Sequence, residues 1–166
     1  MNDSIVDYEY QKRKKTKQRS IDAYRVFSVR YANGSEVVMY QQDTAIGNYF
    51  SQEEMRLFIY GEQDARANFK GRKLLLIGAA YGIAGGLALP ESFIVLLVPA
   101  SAALLAMLPR VKIRPEMARN KKLLSEPAYV MGFERTARGK KIQSVLKGAV
   151  VGTILSVVGW QIAINN

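Results

Sequence analysis

Hydrophobic positions are spread very unevenly along the chain. Residues 74–109 form a run of thirty-six with a single charge, Glu91. Pro90, Glu91 and Ser92 break it, because Pro90 disfavours helix at Leu89 and Ser92 can cap the next helix. The pattern predicts helices over residues 74–89 and 93–108, each ~24 Å long at ~1.5 Å per residue. A chain of 166 residues offers little to cover such a run, so a soluble, buried helical pair is the weaker alternative and a lipid-embedded hairpin the stronger. Residues 145–164 are a third apolar run, with Lys147 near its entry and Trp160 and Gln161 near its exit. The fold class expected is an α-helical membrane protein: three short transmembrane helices, a hairpin plus one, with a small N-terminal β-hairpin and helix domain.

Shorter periodicities organise the remainder. Residues 24–31 and 35–40 flank Asn33-Gly34, a dipeptide suited to a two-residue hairpin turn. That turn sets Val29 opposite Val38, Phe27 opposite Tyr40, and Arg30 opposite Val37. Ser51 with Glu54 reads as a capping box opening an amphipathic helix with Met55, Phe58 and Ile59. Gly61 is expected to interrupt it, and a second helical stretch, 63–71, leads to the apolar run. Glu53, Glu54, Glu62 and Asp64 are expected on a solvated face or as partners of arginines, because nothing nucleophilic or metal-binding accompanies them. Residues 110–141 read as an irregular basic connection with Pro115 and Pro127, then an amphipathic helix entering the last run.

Within the apolar runs, Gly78, Gly82 and Gly86 recur every four residues, as do Gly148, Gly152 and Ser156. Such stripes let helix backbones approach closely, and packing within the chain is favoured over self-association. Pro99 predicts a kink. Residues 64–82 and 133–152 share the order polar helix, basic glycine-containing patch, glycine-striped apolar helix. This is a weak internal repeat or convergence on membrane entry.

Composition narrows the chemistry. With no Cys and no His, thiol chemistry, the commonest metal ligand and the commonest general base are missing, and neither metal nor cofactor is expected. A net charge of +10 would suggest nucleic acid in a soluble protein; here the cations bracket apolar runs, so anionic head groups are the simpler partner. Arg72, Lys73, Arg110, Lys140, Lys141 and Trp160 are the residues expected at head groups or a partner surface. Residues 12–19 carry six positive charges and read as a disordered arm, with an acidic lipid or protein as the sharper reading. Nucleic acid is disfavoured there, since no aromatic residue interleaves with the charges. Thirteen Lys and Arg precede residue 74 and ten lie in 110–141, so the charge rule puts both regions in the cytoplasm and the hairpin tip and C-terminus outside. Residues 1–10 show no apolar core of a leader, and a cleaved leader would reverse that orientation.

The expected divisions are 1–21 basic arm, 22–71 small domain, 72–109 hairpin, 110–143 basic loop with amphipathic helix, and 144–166 third span. Tyr31-Ala-Asn-Gly34, Gly61-Glu-Gln-Asp64-Ala65, Phe69-Lys70-Gly71, Pro127-Ala-Tyr129, Gly132-Phe133 and Ala137-Arg-Gly-Lys140-Lys141 occur in that order. As an ordered set over residues 24–164, this resembles a widespread group of small envelope proteins of Bacteroidota. The resemblance implies a cleavable leader, a small β-containing domain and helices, hence a bacterial membrane, most simply the inner one, with the small domain facing the periplasm. Basic residues 12–19 and the missing leader depart from that pattern. The function expected is a non-catalytic membrane subunit of a larger envelope complex, docking through its small domain and basic loop. The alternative is a homo-oligomeric pore lined by the glycine-striped helices, with Tyr81, Ser101, Lys147, Thr153, Ser156 and Gln161 as polar candidates. An enzyme built on Ser144 and Lys147 ranks last.

Overall fold

The computed structural model describes residues 5–12, 15–90 and 92–165, so Glu91 lies outside the described residues. The chain is mostly helical with β structure confined to its N-terminal part. It divides into two compact units, residues 1–56 and 57–166.

In the first unit, β1 (Ile5–Lys12) and β2 (Lys15–Asp22) pair antiparallel over their full length, from Ile5 opposite Asp22 to Lys12 opposite Lys15. For residues 5–12 and 15–21 this corrects the expectation of a disordered arm; residues 1–4, Arg13 and Lys14 lie outside the described residues. The cations of residues 15–19 alternate with Thr16 and Gln18, and strand pairing sets β2 beside the acidic β1 residues: Gln18 Nε2 donates to Glu9 at 2.6 Å, and Ser20 Oγ to Asp7 at 2.6 Å. Pairing also brings the Arg19 guanidinium over the Tyr10 ring, an aromatic neighbour that the basic run alone does not display.

A second hairpin joins β3 (Ser28–Arg30) to β4 (Glu36–Val38), with Ser28 opposite Val38, Val29 opposite Val37 and Arg30 opposite Glu36. The expected register is therefore off by one. The loop has three residues, Ala32 to Gly34, closed by the Tyr31 N–H on the Ser35 carbonyl, and Gly34 takes the left-handed conformation at φ 87°. Beyond the strands, the N–H groups of both Met39 and Tyr40 reach the Phe27 carbonyl, a bulge that restores the expected Phe27–Tyr40 neighbourhood at 5.9 Å between rings. Arg56 ties the first turn of the next helix to this sheet through Glu36 at 2.9 Å.

Helix α1 (Gln52–Asn68) opens on the capping box as expected: Ser51 Oγ accepts from the Glu54 N–H, and Glu54 accepts from the Ser51 N–H at 2.8 Å. Gly61 does not interrupt it, since one glycine costs only about 1 kcal/mol in a helix. Helix α2 (Arg72–Ala88) follows after a short break. Residues 93–108 are not one α-helix: a tight 3-10 segment, Phe93–Leu97, capped by Ser92, precedes α3 (Val98–Met107). Pro99 explains the change. Its ring and missing N–H block α-helical bonding to the turn before it, but are harmless in a first turn, so the helix begins there instead of kinking.

Residues 110–126 wind back through two short 3-10 turns. Helix α4 (Pro127–Ile164) then runs unbroken for 38 residues, merging the expected amphipathic helix with the third apolar run. It is the one described helix long and apolar enough to cross a membrane; Phe93–Met107 is apolar but shorter, and α2 has seventeen residues.

Candidate helix-packing interface

The second unit is built on a seam between α1 and α2 on one side and α4 on the other. Its glycines are reciprocal. A Cβ at Gly78 would strike the Val145 carbonyl, and one at Gly148 the Leu75 carbonyl. The same exchange relates Gly82 at Ala149 to Gly152 at Ala79, and Gly61 at Tyr129 to Gly132 at Phe58. In each pair the glycine rests on the carbonyl three residues before its counterpart. The two rails therefore run parallel, related by a local two-fold, and the segments read as a weak repeat lie side by side along it. Seventeen positions separate Gly61 from Gly78 but sixteen separate Gly132 from Gly148. The extra position falls where α1 stops and α2 starts, whereas α4 is continuous. Gly86 meets the Ser156 hydroxyl, and Gly71 the Ser144 hydroxyl.

Around the apolar half of this seam the usual distribution is reversed. Buried positions are Gly78, Gly82, Gly86, Ala102, Ala106, Gly148, Ala149, Gly152, Thr153 and Ser156, with Val95, Val98 and Val145 as the largest. Leu76, Phe93, Leu104, Leu108 and Leu155 are 62 to 91% exposed. The few polar groups bond locally: Thr153 Oγ1 to the Gly82 carbonyl at 3.3 Å, Ser156 Oγ to the Thr153 carbonyl at 2.9 Å, and Tyr81 Oη with Ser101 Oγ at 3.0 Å. The glycine stripes on which a pore would depend face each other within one chain.

The other half of the seam obeys the opposite rule. Tyr129 and Phe133 are fully buried, and Phe133 packs with Ala65, Val111 and Ala137 under Phe69, Ile113 and Met117. Asp64, also buried, gathers three donors: Tyr129 Oη at 2.6 Å, the Arg119 N–H at 2.9 Å and Arg119 Nε at 3.0 Å. Arg119 further bonds Gln63 and lies 4.3 Å over the Tyr60 ring. Burial works to raise the Asp64 carboxyl, but the bonds from Arg119 and Tyr129 outweigh it and hold it below its ordinary value. Burial first, then the facing Asp64 carboxylate, pushes the Tyr129 phenol up. Asp64 thus fastens the irregular 110–126 segment to α1 and α4. Of the other acidic residues, Glu62 pairs with Arg66 at 3.4 Å.

Two residues expected at head groups are turned inward. Lys140 Nζ donates to the carbonyls of Ala65, Arg66 and Phe69, closing the C-terminal end of α1, where orphan carbonyls and the helix dipole favour a cation. Lys141 is buried and donates to the Pro109 carbonyl at 2.7 Å. Their spacing on α4 points them at different neighbours, which a basic doublet in a sequence does not announce. Arg72, Lys73 and Arg110 are exposed, and Trp160 borders an open hollow with Leu89, Pro90 and Phe93 at the far end. Ser144 Oγ donates to the Lys140 carbonyl, Lys147 is exposed, and among the described residues no hydrogen bond joins the two. Among the described residues no group of three or more acidic side chains is placed to hold a metal ion.

Comparison with protein-family models, characterised proteins and solved structures finds no match to this chain.

Proposed function

We propose that this chain is a non-catalytic integral membrane subunit of a bacterial envelope complex, with α2, the Phe93–Met107 segment and the C-terminal half of α4 in the bilayer as three short spans. The observation that carries the reading is the reversed distribution along the seam: glycine, alanine, serine and threonine inside, leucine, isoleucine and phenylalanine outside. In water that arrangement forfeits ~25 cal/mol for each Å² of apolar surface left uncovered. In lipid it forfeits nothing, and close backbone approach supplies the association. At ~1.5 Å per residue, residues 145–164 reach ~30 Å, a full hydrocarbon layer, while residues 74–88 reach ~22 Å and depend on snorkelling cations at one end.

The subunit role is supported by the first unit. A two-stranded sheet is marginal alone, yet β1 and β2 pair over eight residues with most side chains open to solvent. A larger assembly would cover them. The resemblance to small envelope proteins of Bacteroidota agrees with a membrane subunit but implies a periplasmic small domain; the orientation proposed is that of the charge rule, with the cationic end of the bundle in the cytoplasm. The test is carbonate extraction of membranes carrying the full chain, followed by sizing in mild detergent and protease protection of residues 24–40 in intact cells. Retention in the membrane at a size above one chain is expected, with those residues protected from outside. Release by carbonate as a monodisperse soluble monomer would refute it.

A further inference from the structure

We propose that a ring of exposed cations where the polar and apolar halves of the second unit meet binds the phosphate groups of anionic phospholipids. The inference rests on the membrane reading above and goes beyond it by naming a ligand and a site. Three parts of the chain reach one level there. Phe69 and Gly71 lie against Lys140 and Ser144, and Pro109 against Lys141. At that level lie Lys70, Arg72, Lys73, Arg110, Lys112 and Arg138, all exposed. Residues 70–73, 109–115 and 138–144 contain no Asp or Glu. The salt bridges among the described residues use Arg30, Arg56, Arg66 and Arg119, none of them in this ring.

With Lys140 and Lys141 consumed by carbonyls, the ring is the part of the basic cluster left to face outward. No side chain caps α2 at Gly71, so its first turn adds positive potential at the same level. What selects the ligand is the neighbour on the other side. Leu75 and Leu76 lie just beyond Lys73, and Met107 and Leu108 precede Arg110, all of them exposed. A ligand meeting both must carry a negative head and an apolar body along one axis. A phospholipid phosphate diester with an anionic head group has that form, and an acidic protein surface does not. The basic residues of β2, Lys15, Lys17 and Arg19, lie beside a strand that mixes Tyr8 and Tyr10 with Asp7 and Glu9 rather than beside an aliphatic helix end, and serve as the comparison.

The full chain is reconstituted into phosphatidylcholine vesicles with and without one third phosphatidylglycerol, extracted in mild detergent, and its retained lipids are counted by native mass spectrometry. Wild type should retain phosphatidylglycerol over phosphatidylcholine by about ten-fold or more, a preference that falls as salt rises. Arg72→Gln/Lys73→Gln/Arg110→Gln/Lys112→Gln should reduce it to less than about three-fold, and Arg110→Gln/Lys112→Gln alone to an intermediate value. Lys15→Gln/Lys17→Gln/Arg19→Gln should leave it unchanged. No preference in wild type, an undiminished preference in both ring variants, or its loss only in the β2 variant would overturn the proposal. Entry into phosphatidylcholine without preference overturns the ring alone, whereas failure to enter any vesicle overturns the membrane reading with it.

Discussion

Helix α4 follows one packing rule along its first half, against α1, and the reverse along its second, against α2, although it is itself a single unbroken rod. Near its start it buries Tyr129, Phe133 and Ala137 and exposes Arg135 and Arg138. Beyond Val145 it buries Gly148, Ala149, Gly152, Thr153 and Ser156 and exposes Val150, Val151, Ile154 and Leu155. Helical geometry is common to both halves, so on the membrane reading proposed above the difference reports the surroundings. Where water is the solvent, large side chains gain by leaving it; where lipid is, they gain nothing, and contact between backbones decides.

The sharpest way to break this comparison is to add a side chain to the seam. Gly82→Leu has the Ala149 carbonyl and the Thr153 N–H where its Cβ must go. It should cost more than about 3 kcal/mol and leave no cooperative melting transition in detergent. Gly139→Leu, on the same helix as the facing residues but with open space at its Cβ, should be neutral or stabilise by a few tenths of a kcal/mol. Equal effects would show that the seam is not tightly closed.

A smaller effect is expected from the polar half. Asp64→Ala strands the buried Tyr129 hydroxyl and the Arg119 donors, and should lower stability by ~1–3 kcal/mol in chemical denaturation. Because the Asp64 carboxyl is held below its ordinary value in the fold, its contribution is complete above that ordinary value, near 3.8, and is lost as pH falls through the lower folded value. Wild type should therefore weaken on acidification below about pH 4, and Asp64→Asn should show a shallower decline there.

The smallest effect sharpens the comparison most. Leu76→Ala and Leu104→Ala remove exposed side chains, so in detergent each should shift stability by less than about 0.5 kcal/mol. Losses of ~2–5 kcal/mol, the scale of a buried leucine, would mean that these side chains lie in a core after all.

Much of the helical part was legible from residue order alone. The apolar runs, the Ser51–Glu54 capping box and the two small-residue stripes each rest on local spacing, and local spacing survives folding. What escaped depends on partners distant in the chain. β1 and β2 were hidden because a basic run looks solvated until its strand partner with Asp7 and Glu9 is in place. The slipped register at Asn33-Gly34 turned on one added loop residue, which that dipeptide permits equally well. Nothing near Lys140 and Lys141 shows that the end of α1 and residue 109 arrive beside them. The Asp64 cluster was foreshadowed only as a pairing with arginine, since Arg119 and Tyr129 lie 55 and 65 residues away.

A stripe with a period of four has an ambiguity of its own. Slide α2 by one turn along α4, ~6 Å, and Gly78 would exchange the Val145 carbonyl for that of Ala149, with smooth backbone again beneath it. The apolar rails alone therefore admit more than one alignment. The Asp64–Tyr129 bond and the grip of Lys140 on three carbonyls repeat nowhere along the helices and accept one setting. The polar end acts as the key of a vernier, choosing the notch in which the apolar end comes to rest.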